Sequence, residues 1–396
     1  MESRRGLNAT DETAYSVGSE TRQHADLAWR YLQATDLASL PPTTVIKRSL
    51  TVRSVISASS SFALRSQRAI GRPDLQVIIE IGKGLQGVVF EQVGKSLAMK
   101  KEYGNNATLR TNLLHEASLH RLVYNAFAKY DVIIGSEVKV PQLTRIIPDT
   151  DTFWNENLSK FPTEYRQPGT MVQMERILPL PKIIRRSLIS QFYPNNGVPL
   201  DTDSVNEILN KTANKHCLAR TYLGRKTGPI SSSGGFSLRN IPLYLDAMLT
   251  LELDVKGLAT AMGEAFAIMH WGAGVNGDDV EFVLGTSALK DESQGGALDF
   301  QHRAVGFYLL DFGQCDAVDL EDEKDDVYQA FKGAMVTGDN QLFIPHFQRS
   351  RDVFESFRDG YIAAAEVIMD EKRINNKFDA VEFMREYEEY AEDFLY

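Results

Sequence analysis

Cysteine is nearly absent: Cys217 and Cys315 are the two thiols in 396 residues. Two thiols so far apart in sequence cannot build a disulfide framework, and they supply too few ligands for a Cys₄ or Cys₂His₂ zinc site, so no metal is expected. Long apolar runs are missing as well. No stretch approaches the roughly 20 consecutive apolar residues of a membrane helix. The start, Met1-Glu2-Ser3-Arg4-Arg5, leads into polar sequence rather than an apolar signal core. These absences set the expectation of a cytoplasmic protein without membrane contact. Positive charge is not in excess either. Lys plus Arg is 43 against 53 for Asp plus Glu, a net charge of −10, which argues against a chain coated in nucleic acid and against stable DNA binding.

What is present is globular in composition, with 43% apolar and 24% charged residues. Charge is nonetheless uneven. Between Pro41 and Leu75 six bases face one acid, and between Lys160 and Lys226 eleven bases face five acids. From Cys315 to Tyr396 the balance reverses, with 21 acids and 9 bases. The basic segments read either as solvated surface or as a face for an anionic ligand.

Pattern divides the chain into three parts. Residues 1–75 are rich in Ser, Thr and Arg and lack a sustained apolar period, so they read as a flexible basic segment with one short helix near Ala25–Gln33. Residues 76–180 open with hairpin grammar: the run Val77–Ile81, a Gly-rich turn, Val88-Val89-Phe90, a second turn at Gly94-Lys95, then Leu97–Lys100. A 3.6-residue period over Thr108–Phe127 predicts a helix, and Lys139–Ile147 and Thr170–Leu178 read as strands. Residues 181–396 read as mainly helical, with a long amphipathic stretch Leu243–Ala273, short strands at Val280–Leu284 and Phe307–Leu310, and helices over Tyr328–Tyr396. The expected fold class is α+β, with a small β-rich lobe carrying one helix and a larger helical lobe.

Four features carry chemistry. Gly82, Gly84 and Gly87 form G-x-G-x-x-G-x-V inside a hairpin, where glycines let backbone N–H groups approach a polyphosphate. Ala98-Met99-Lys100 places a lysine on the next strand, and Glu116 follows sixteen residues later in the predicted helix, positioned to pair with it. Leu310-Asp311-Phe312-Gly313 ends a strand with D-F-G. In this order, from Val77 onward, the features resemble the protein-kinase fold. The catalytic loop departs from it. Counting from His270 in Met269-His270-Trp271, the position of the kinase base is Gly272 and that of the metal-binding Asn is Gly277, while Asp278 and Asp279 stand just before the next strand.

The run Ala267-Ile268-Met269-His270-Trp271-Gly272-Ala273-Gly274, with Asp278-Asp279-Val280-Glu281-Phe282-Val283-Leu284-Gly285 and the D-F-G, is similar to a fungal family with a kinase-like core. That family includes the arginine-containing cyclodipeptide synthases. The resemblance implies arginyl-tRNA and a second aminoacyl-tRNA as partners, a cyclo-arginyl dipeptide as product, and no cofactor. An aminoacyl ester is already activated, so the site must hold a terminal adenosine, recognise a guanidinium, deprotonate an amine and stabilise an oxyanion. The segment Gln173-Met174-Glu175-Arg176 is the expected adenosine wall, with Lys100 and Glu116 near a phosphate or oxyanion. Bidentate guanidinium recognition needs carboxylates, for which Asp278, Asp279 and Glu281 are candidates, although the same trio reads equally as a solvated turn. His270 is either a base or structural, Asp311 an orienter of an amine or cation, and Cys217 either a covalent acceptor or a buried thiol. Lys182, Arg185, Arg186, Arg220, Arg225 and Lys226 form the expected tRNA footprint. Two other readings remain open: a phosphotransferase using ATP and Mg²⁺ with Asp278 or Asp279 as base, and a catalytically silent pseudokinase scaffold.

Overall fold

The computed structural model describes residues 29–58, 60–84, 87–103, 113–194, 198–230, 235–291 and 297–395. In chain order the strands are β1 (Arg30–Gln33), β2 (Ser54–Ser57), β3 (Ile78–Gly84), β4 (Gly87–Gln92), β5 (Leu97–Lys101), β6 (Val138–Lys139), β7 (Leu143–Ile147), β8 (Met171–Glu175), β9 (Ala219–Tyr222), β10 (Ile241–Tyr244), β11 (Glu281–Asp291) and β12 (Ala297–Leu310). They form two sheets. One has five strands in the order β3-β4-β5-β8-β7, all antiparallel. The other has seven, in the order β1-β2-β12-β11-β9-β10, with β6 added beside β12. It is mixed: β1 with β2, β9 with β10, and β6 with β12 run parallel. The fold is α+β, as its residue patterns predict.

Each sheet has its own core, and this separation leaves space between them. The five-stranded sheet buries Ile78, Phe90, Met99, Trp154 and Phe161. The main core joins Ile46 and Ile56 to Phe266, Phe282, Phe307, Phe357 and Tyr361. Helix Val255–Ala267 is set by Asp254, whose Oδ1 accepts the Gly257 N–H at 2.9 Å. It continues into a π-helical turn, Ile268–Ala273, closed by Gly274 in the left-handed region at φ 65°.

Several expectations require correction. The described part of segment 1–75 is not a flexible arm: it supplies β1 and β2 and the helices Pro42–Ser49 and Ser61–Ile70. Residues 30–33, expected to be helical, form β1, and residues 25–28 of that expectation lie outside the described residues. The reason is long-range pairing, which leaves no local period: β2 is held by β12, with Ser57 opposite His302. The expected short strands at 280–284 and 307–310 are the ends of an antiparallel ladder eleven and fourteen residues long. Charged residues such as Lys290, Asp299 and Arg303 hide that ladder from an apolar pattern. The third part, 181–396, therefore contributes β9 to β12 as well as its helices. The helix expected over Thr108–Phe127 runs Leu113–Ile134, and 108–112 lie outside the described residues. Among the described residues, no helix is long and apolar enough to cross a membrane.

Candidate active site

A cavity of about 550 Å³ lies between the two sheets. Its roof is glycine-rich because backbone must come close. A Cβ on Gly87 would stand 2.3 Å from the carbonyl oxygen of Lys101, so only glycine lets β4 turn there. Gly82, Gly84 and Gly87 all line the cavity. Leu85 and Gln86 between them lie outside the described residues.

Beneath the roof stands the pair expected from spacing. Lys100 Nζ donates to both Glu116 carboxylate oxygens at 2.7 and 2.8 Å, and Asp311 Oδ1 is 3.6 Å from the same nitrogen. Lys100 is on β5, Glu116 on helix Leu113–Ile134, and Asp311 just past β12 with φ 67°. Burial pushes the Glu116 carboxyl above its ordinary value, against the pull of Lys100.

A second polar group closes the same cavity. Arg220 on β9 forms an ion pair with Glu281 on β11, donates to Tyr222 Oη at 3.0 Å, and lies 3.5 Å from Asp339. Asp279 adopts a left-handed φ of 54°, and its Oδ1 accepts the Asp339 N–H at 2.8 Å. Burial raises the Glu281 carboxyl to about 7; Arg220 opposes this, and Asp311, Asp339 and Asp279 add to it. Such a carboxyl changes protonation state in the range where a general base is useful.

The structure brings most of the expected site residues together and removes others. Asp279, Glu281, Asp311, Lys100, Glu116, Glu175 and Arg176 line one cavity. Asp278 does not: its Oδ1 accepts the Thr337 hydroxyl at 2.7 Å, which turns the side chain away. His270 is also not a catalytic base. It is fully buried, stacked on Phe331 at 4.2 Å, and its Nδ1 lies 2.9 Å from Tyr361 Oη. Trp271 Nε1 donates to the same hydroxyl at 2.8 Å, so the hydroxyl proton goes to His270 Nδ1 and Nε2–H donates to the Asn276 carbonyl at 3.2 Å. Burial lowers this imidazole to about 3, so it is neutral and structural. Gly272 and Gly277, which the sequence resemblance set at a kinase's base and metal positions, are packed against Tyr130 and against Met269 and Phe266. Cys217 is buried with its thiol raised to about 12, which excludes it as a nucleophile.

The expected tRNA footprint splits. Lys182, Arg225 and Lys226 are exposed. Arg185 is committed elsewhere, donating to the Leu180 carbonyl at 3.0 Å and the Asn214 carbonyl at 2.7 Å, and Arg186 donates to Asn206 Oδ1 at 2.9 Å. Arg220 is inside the cavity. Sequence reasoning missed Asp339, Arg239 and His216 as cavity residues. No local signal in the sequence marks Asp339, Arg239 or His216.

No family model matches the chain, and no curated protein matches it. Among the described residues, no cluster of three or more His, Cys, Asp or Glu side chains is placed to hold a metal ion.

Proposed function

We propose that the two sheets and their helices form a two-lobed, kinase-like core, that the chain belongs to the fungal family of arginine-containing cyclodipeptide synthases, and that it joins arginine from arginyl-tRNA to a second aminoacyl group. One observation carries the reading. A cavity with the Lys100–Glu116–Asp311 contact keeps carboxylates Asp279, Glu281 and Asp339 on its wall, while glycines occupy the positions from which a kinase would run phosphoryl transfer.

In this reading the terminal adenosine lies along Met174, Glu175 and Ile177, and the arginyl guanidinium meets Asp279 and Asp339. Glu281, ionised, takes a proton from the α-ammonium of one aminoacyl group. The freed amine attacks the ester carbonyl of the other; the ester C–O bond breaks and the ribose 3′-oxygen leaves with a proton. A second attack by the remaining amine on the remaining ester closes the six-membered ring and releases the second tRNA. Lys100 faces the oxyanion that each attack develops. The exposed Lys182, Arg225 and Lys226 contact tRNA phosphates, and the supply of charged tRNA places the work in the cytoplasm.

The test is direct. The purified chain, incubated with arginyl-tRNA and mixed aminoacyl-tRNAs, releases a diketopiperazine of arginine detectable by mass spectrometry, and ribonuclease pretreatment abolishes it. Absence of any such product under these conditions rejects the assignment. The Lys100–Glu116–Asp311 contact also suits nucleotide phosphates, which favours a phosphotransferase as the second reading, with Asp279 as base. Phosphate release or transfer from ATP with Mg²⁺, without dipeptide, selects it. Nucleotide binding without either product selects a silent scaffold.

A further inference from the structure

The cavity has two electrically different ends, and strand register orders them. β9 and β11 are antiparallel, with Arg220 opposite Val283 and Ala219 opposite Leu284. Glu281 therefore lies toward one end of this pair, while Leu218 and His216 lie toward the other. Between the ends the wall is apolar: a Cβ on Gly285 would meet Ile177 at 2.3 Å and Leu218 at 3.0 Å. His216, Leu218 and Arg220 alternate along the chain and all line the cavity. Four residues of extended chain separate His216 from Arg220, a reach of about 13 Å at most.

The far end is cationic and uncompensated. Arg239 lines it, and its guanidinium makes no hydrogen bond or ion pair among the described residues; its Nε is buried. The His216 ring is likewise without a hydrogen-bond partner among them. Behind this wall stand Arg185 and Arg303, which donate to the carbonyls of Leu180, Asn214 and Pro179 and, among the described residues, to no carboxylate. Arg303 is 2% exposed, and its Nε has no hydrogen-bond partner among the described residues. Arg176, 4% exposed, pairs with Glu91, which also receives Arg65. Of Arg65, Arg176, Arg185, Arg239 and Arg303, only Arg65 and Arg176 meet a carboxylate among the described residues, and it is the same one, Glu91. Two pKa directions report the resulting potential: burial and then Arg176, Arg239, Arg185 and Arg65 lower His216 to about 3, and burial followed by Arg185 and Arg176 lowers Arg303 to about 9. Buried positive charge of this kind is stabilised by an anion that enters with its own hydrogen-bond acceptors.

We propose that the end of the cavity bordered by Arg239 and His216 is a phosphate subsite, which takes the 5′-phosphate of the terminal adenosine while its ester-linked amino acid extends toward Asp279 and Glu281. The owner of the phosphate rests on the synthase reading; the subsite does not. Arg239 is the direct donor, since among the described arginines of the cavity it combines a place on the wall with a guanidinium left unpaired. Neutral His216 donates one N–H, and Arg176 in the wall with Arg185 and Arg303 behind it supplies field.

Calorimetric titration of the full chain with adenosine 5′-monophosphate, adenosine and sodium glutamate reads this subsite. The monophosphate should bind at least ~10-fold more tightly than adenosine at low salt. Arg239→Gln should bring the ratio to within about twofold, and Arg239→Lys should restore part of it, because the charge returns without the fork. Equal affinity for monophosphate and nucleoside in the unmodified chain overturns the proposal. So does an unchanged ratio in a folded R239Q protein, or glutamate displacing the monophosphate at equal concentration. If diketopiperazine forms while the phosphate preference is missing, the subsite fails and the synthase stands. If the preference is present and charged tRNA yields nothing, the synthase fails and the subsite stands.

Discussion

Glu281 shows how far a single side chain's chemistry depends on its surroundings. Buried beside Arg220 and among Asp311, Asp339 and Asp279, it titrates at about 7 rather than the usual 4.5. A base must be ionised, so kcat/KM for dipeptide formation should rise with pH through about 7 and level off above it. Glu281→Gln should lower kcat by about 10²-fold or more and flatten that limb, with the unfolding midpoint retained. A limb that persists in the variant would assign the titration to another group. Stability has the opposite sign. The folded state holds this proton more tightly than the unfolded chain, so the contribution is full below 4.5 and is lost as pH rises to about 7. The residue types at 279, 281 and 311 were legible because acids beside glycines in short turns point to function. Asp339 was not, because it is brought to the site from a distant segment, by its backbone N–H on Asp279 and its carboxylate beside Arg220.

At the scale of elements, helix Val255–Ala267 crosses helix Arg351–Lys372 with backbones in contact. A Cβ on Gly263 would lie 2.0 Å from the Phe357 carbonyl oxygen, and one on Gly360 would lie 2.5 Å from that of Thr260. This crossing sets Tyr361, which in turn orients His270 and Trp271. Gly263→Ala should therefore destabilise the protein by about 3 kcal/mol rather than gain the usual helix propensity of alanine. Urea denaturation with near-ultraviolet dichroism of Trp271 measures it; a stabilised variant would show the helices free to part. The helices themselves follow from their apolar period, whereas the closeness of this crossing does not, since a helical glycine reads only as a mild penalty.

For the whole molecule, the segment before residue 76 decides whether the seven-stranded sheet can form. β2 covers the edge of β12, and its Ser57 hydroxyl meets His302 Nε2 at 3.1 Å across 245 residues of sequence. Ile46 and Ile56 from this segment are 0% exposed in the main core. A chain beginning at residue 76 should be insoluble or unfold at much lower urea, because it bares the strand edge and the apolar floor beneath it. A soluble truncated chain with the full chain's unfolding midpoint would return the segment to the role of an appendage.

Local chemistry alone determined the hairpin of β3 to β5, the glycines that bend it, the lysine and glutamate sixteen residues apart, and the D-F-G after a strand. Each depends on backbone freedom, alternation or helical period within a few dozen residues. The tertiary structure alone decided which of the many arginines are buried, that Arg220 faces Glu281 while Arg185 caps carbonyls, and that β1 and β2 complete a distant sheet. Those outcomes depend on pairings between remote segments, whose energy is gained only once the chain has closed on itself.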